Sequence, residues 1–259
     1  MSGVRWIAGL GLALFLCSLA GWAVAEHWDW LRLPLSGSDE HRIDVRAAWH
    51  GRVMVVSWSV MLPLGVLAAR YFKVMPGQGW PAVLDNKRWW RMHLWLQVGG
   101  SLAGLLGVLL VLGMATRQTA LAQWHALCGW LVMLCACVQL VSGFLRGSKG
   151  GPTCEQWQGD HYQMTSHRVR FERLHKSIGW LALLLALIAT LIGITMVDAP
   201  RWMALSIAAW WAALFMVGLL LQRAGRCIDT YQAIWGPAPT HPGNRRRPIG
   251  WGVRRLPGD

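Results

Sequence analysis

Charge is scarce in this chain of 259 residues. Asp, Glu, Lys and Arg together make up 14% of it, against about 25% in an ordinary soluble domain. Acidic residues are the scarcest, with 12 Asp and Glu against 25 Lys and Arg. The cysteines lack motifs: the six present form no C-x-x-C and no C-x-x-C-H, which excludes covalent haem attachment of the c type. Cys128, Cys135 and Cys137 lie inside one apolar run, where a thiol behaves as a small hydrophobe. Too much is apolar, 54% of residues with a mean hydropathy of +0.34, for the chain to be disordered. A soluble globule of this size could not hide that surface.

What is present in excess is tryptophan. Nineteen occur, a residue that favours membrane interfaces. Runs long enough to cross a bilayer need about 20 apolar residues. Six occur, at roughly Trp6–Ala25, Ala47–Ala69, Met92–Ala115, Trp124–Leu145, Ser177–Val197 and Trp202–Leu221. Helix is the open-chain structure that satisfies its own backbone there. The predicted fold is therefore all-α, a polytopic membrane bundle of six transmembrane helices. It falls to five if the first run, residues 1–25, is a cleaved signal ending at Ala23-Val24-Ala25. That run is longer than the apolar core of a usual signal, which favours a retained helix.

The basic residues alternate between connections. Nineteen fall in the N-terminus, the second and fourth connections and the tail, and five in the other three connections. The positive-inside rule then places both termini in the cytoplasm, as in a bacterial inner membrane. This topology also accounts for the net charge of +13 without a nucleic-acid partner. Residues 26–221 form the predicted membrane domain. Residues 222–259, rich in Pro, Gly and Arg, read as a largely disordered cytoplasmic tail.

Four of nine histidines fall inside or at the edge of spans: His50, His93, His125 and His175. An ionisable group at membrane depth is a functional candidate by default. Each lies near the N-terminal end of its span, and consecutive spans run in opposite directions. Depths therefore alternate, with His50 and His125 near the outer face and His93 and His175 near the inner. Two imidazoles per leaflet suit two b-type haems, each held by one imidazole from each of two facing helices. Small residues follow the histidines at helical spacing: Gly100, Gly104 and Gly107; Gly129 and Ala136; Gly179, Ala182, Ala186 and Gly193. They read as a groove for a porphyrin, although close helix packing uses the same residues. Propionate partners are sought among Arg46, Arg52 and Arg117 on the outer side, and Arg70, Lys73, Arg170, Arg173 and Lys176 on the inner. In the loop Gly159–Thr165, His161 and Met164 are candidate metal or haem ligands, but the favoured reading is a solvated loop that docks a partner.

Several stretches together resemble the cytochrome b561 family. They are Trp49-His50-Gly51-Arg52-Val53-Met54 with Pro63 and Ala69-Arg70, Trp89 to His93 with Gln97, Trp124-His125 with Gly129-Trp130, and Arg173-Leu174-His175-Lys176 with Gly179-Trp180. The resemblance covers about residues 45–220. It is nearest to the form joined in other proteins to extracytoplasmic haem- or sugar-binding domains. It implies two non-covalent b-type haems, with His50 paired to His125 and His93 to His175 as axial ligands. It also implies electron transfer from a cytoplasmic donor such as ascorbate to an outer acceptor, a ferric chelate or a partner protein. Of the ascorbate-side motif the chain offers Arg70. No general base or nucleophile is needed, because the cofactor carries the chemistry. Two other readings compete: a quinol-linked cytochrome b subunit anchoring a partner oxidoreductase, and a histidine-dependent metal or proton transporter. The absence of Asp and Glu from the spans argues against the transporter. A homodimer is compatible with all three.

Overall fold

The computed structural model describes residues 18, 21, 25–38, 42–114 and 119–257. Among them five helices are long and apolar enough to cross a membrane. The run at residues 6–25 lies, apart from isolated positions, outside the described residues. A short helix α1 (Trp28–Arg32) precedes the bundle. The spans are α2 (Val45–Tyr71), α3 (Arg88–Val111), α4 (Ala120–Phe144), α6 (Ser166–Met196) and α7 (Arg201–Arg223). Two short helices, α5 (Asp160–Gln163) and α8 (Thr230–Trp235), sit outside them. No strand occurs among the described residues, only isolated bridges.

Three of the five long helices start at a side-chain cap. The Asp44 carboxylate accepts from the Arg46 and Ala47 amides, Thr119 caps α4 through Ala122, and Thr165 caps α6 through Arg168. Each such cap is worth about 1 kcal/mol. The middle of α2 is unusual: Val55–Met61 is wound as a π-helix. Pro63 follows it and cannot donate to the Ser59 carbonyl. The indole Nε1–H of Trp210 fills that gap at 2.7 Å, while Trp211 donates to Ser59 Oγ at 3.3 Å. One missing backbone donor thus docks α7 onto α2.

Helices α2, α3, α4 and α6 form the bundle. Its midplane is packed by Trp58, Leu62, Val132, Ala136, Ala182, Leu183 and Ala186. The glycines of α3 do not line a porphyrin groove. A Cβ on Gly100 would meet Leu62 at 2.9 Å, on Gly104 Trp58 at 3.0 Å, and on Gly107 Met54 at 3.2 Å. They let α2 lie close against α3, and the Ser57 hydroxyl donates across the seam to Gly100 O at 2.7 Å.

The tail differs from its sequence-based expectation. Residues 225–257 fold into a cap over the end of the bundle that holds His93 and His175. Cys227, Ile228, Tyr231, Ala233 and Trp235 are buried in it. Composition alone missed this because the apolar anchor is brief, and because the arginines act as cross-links. Arg254 donates to Gly225 O, and Arg255 binds the Asp229 carboxylate at 3.1 Å and Gly243 O at 2.8 Å. The Gly159–Thr165 loop is likewise no solvated segment. His161 and Met164 are buried, packed with Tyr162, Tyr231 and Trp235.

Candidate functional site: two imidazole pairs

The four histidines meet two by two. The His50 and His125 rings lie 6.0 Å apart, and the His93 and His175 rings 6.3 Å apart, centroid to centroid. A metal–imidazole bond is about 2 Å, and the ring nitrogen is about 1 Å from its centroid, so one bound metal spaces two rings by about 6 Å.

The far nitrogen of each ring is held. Nδ1 of His50 contacts Gly107 O at 2.8 Å, Nδ1 of His93 Gly65 O at 3.0 Å, and Nδ1 of His125 Ala189 O at 3.0 Å. A carbonyl can only accept, so the proton sits on Nδ1 in all three. His175 Nδ1 faces Ser142 Oγ at 3.1 Å, and that hydroxyl gives its own hydrogen to Gln139 O at 3.0 Å. Ser142 must therefore accept from Nδ1–H. Every Nε2 keeps its lone pair, the form in which a histidine ligates iron, oriented by a partner behind it.

The two levels are evenly separated. On α3 they fall at residues 93 and 107, and on α6 at 175 and 189, fourteen residues in each case. That is close to four turns, so both levels face inward, about 21 Å apart at 1.5 Å per residue. On α2 the levels are His50 and Gly65, fifteen residues apart. The π-helical stretch absorbs the extra residue and keeps both on one face. The residues present therefore fit two planar cofactors gripped by nitrogen from both sides. Gly193 leaves room beside His125, where a Cβ would meet Cε1 at 3.0 Å.

The charged candidates distribute unevenly. Arg52 is exposed and lies over the Trp49 ring at 5.1 Å. Arg46 caps the C-terminus of α3 through Leu110 O and Leu112 O. Arg117 lies outside the described residues. At the other end three cations converge on the cap. Arg70 Nη2 donates to Trp251 O at 2.7 Å, Lys73 Nζ to Ile228 O at 2.9 Å, and Lys176 Nζ to Ile249 O at 2.7 Å. Lys73 is buried, and desolvation, aided by the Lys176 charge, lowers its pKa to about 8. Arg170 and Arg173 are exposed, whereas Arg168 is buried in an ion pair with Glu172. Glu172 also holds Lys176 at 2.9 Å, and its carboxylate lies 4.0 Å from His161 Nε2. Burial pushes His161 down to about 3. Sequence reasoning passed over Ser142 and Gln139, whose polarity inside an apolar span was the available signal.

Five spans around two imidazole pairs describe a multi-pass integral membrane helix bundle with two candidate cofactor sites. The family profile described as eukaryotic cytochrome b561 matches residues 49–199, and the chain belongs to that family. Similar proteins include a cytochrome b561, DM13 and DOMON domain-containing protein of Arabidopsis thaliana, 29% identical over 61% of this chain and 16% of that protein. A second from the same plant, a cytochrome b561 and DOMON domain-containing protein, is 30% identical over 44% of this chain and 23% of its own length. Ferric-chelate reductase 1 of Bos taurus is 26% identical over 68% of this chain and 26% of its length. The chain thus spans about a quarter or less of these relatives. No solved structure matches.

Proposed function

We propose that the chain carries electrons across the membrane through two b-type haems, one held by His50 and His125, the other by His93 and His175. The carrying observation is the pair of imidazole couples whose Nδ1–H groups are all engaged, leaving four Nε2 lone pairs at metal-binding separation. When bound, the haem supplies the one-electron chemistry. The protein orients the imidazoles, sets the distance between sites and excludes water from the midplane.

Direction follows from charge. The capped end carries most of the basic residues, so it faces the cytoplasm in this reading. Lys73 and Lys176 suit the propionates of the His93/His175 haem, or an anionic donor drawn to that end together with Arg70. The opposite end, near His50 and His125, delivers the electron to an outer acceptor, a ferric chelate or a partner protein. Similarity to a ferric-chelate reductase supports that choice. The test is vesicles holding the full chain with a trapped donor. The account expects external ferric chelate to be reduced, and His125→Ala to abolish it. A quinol-linked subunit would instead respond to quinol and not to a trapped aqueous donor.

A further inference from the structure

The cap carries a segment that neither the haem sites nor the bundle accounts for. From the end of a 3-10 turn at Pro242–Arg245, residues 245–252 run as a strap across the ends of two spans. Trp251 O accepts from Arg70 near the end of α2, and Gly252 O accepts from Gln222 near the end of α7. Those contacts put the strap backbone at the depth where the spans leave the apolar layer. Gly250 and Gly252 take positive φ, +116° and +63°, on either side of Trp251. That turn pushes the indole outward, and it is 83% exposed. Arg245, Arg246 and Arg247 precede it, all exposed. The sequence contains no acidic residue between Asp229 and Asp259.

An exposed indole where the spans end, four residues after a run of three exposed arginines, is matched in charge and polarity by a phospholipid surface. We infer that the strap 245–252 binds anionic phospholipid headgroups, with the Arg246 and Arg247 guanidinium groups on phosphates and Trp251 seated at the interface. The strap's own carbonyls hold Arg70 and Lys176, so lipid binding also fastens the cap over the His93/His175 end. The inference rests on the membrane placement of the chain and not on its electron transfer.

The test uses the full chain in nanodiscs of phosphatidylcholine, with and without phosphatidylglycerol. A fluorophore is placed through Trp251→Cys in a background with the other cysteines replaced. Phosphatidylglycerol should shift its quenching from aqueous iodide to a lipid-borne quencher. Arg246→Gln with Arg247→Gln should remove that shift, with the strap's association weakened about fivefold per arginine. In the wild-type chain, tryptic cleavage between Arg245 and Arg246 should slow by a similar factor in the phosphatidylglycerol discs. A label equally quenched by iodide in both lipids, an unchanged shift in the double variant, or cleavage indifferent to lipid charge would each overturn the inference.

Discussion

Each imidazole is fixed from behind, and the small partners matter as much as the ligands. Ser142 is the clearest case, being the sole side-chain acceptor among the four Nδ1 partners. Ser142→Ala leaves that N–H unpaired. The His93/His175 haem should then bind about 10–100-fold less tightly, as for other orienting partners, with the other haem unaffected; haem retention on dilution reads this. Gly193→Ala should act at the other level, because its Cβ would crowd His125. His161 gives a pH dependence. Its pKa falls from 6.5 unfolded to about 3 folded. Between those values the unfolded chain holds a proton that the folded chain lacks, so cap stability rises with pH across the window and is lost on acidification. Amide protection factors at residues 227–235, corrected for intrinsic exchange, should fall as pH drops from 6.5 toward 3, less steeply in His161→Asn. The four histidines were legible because an imidazole in an apolar run is conspicuous. Three of their partners were not, being backbone carbonyls whose positions depend on packing.

Among the elements, α2 shows how register is kept. One residue more separates its two levels than on α3 or α6, and the π-helical turn takes it up. Inserting an alanine after Val56, beyond the one residue that the π-helical turn takes up, would rotate everything beyond it by about 100°. Gly65 would leave His93, and one of the two haem signals should disappear while the His50/His125 signal persists. An absorption spectrum of the purified variant checks this. Hydropathy located the five described spans to within about four residues, except that α6 begins at Ser166, well before the expected start at Ser177. It missed the π turn, because a single inserted residue leaves the apolar run unchanged. It also assigned the α3 glycines to a cofactor groove, since small residues serve close helix contact and ligand space alike. Only the neighbours Met54, Trp58 and Leu62 distinguish the two.

At the scale of the whole molecule, the bundle is closed at one end by a cap that composition had marked as disordered. Its arginines bind carbonyls and Asp229, while a short aromatic stretch supplies the core. Lys73 lies beneath it with a pKa near 8, so its charge, present below that value, fades as pH rises through it. Reduction by a trapped anionic donor should slow across the same range, and Lys73→Arg should flatten the profile. The central claim is two independent haem sites on one chain. It is tested most directly by pyridine haemochrome analysis of the purified protein and its His50→Ala and His93→Ala variants. The account predicts about two b-type haems in the wild type, with each variant losing a different spectral component. A single haem, or the same component lost in both variants, would contradict it.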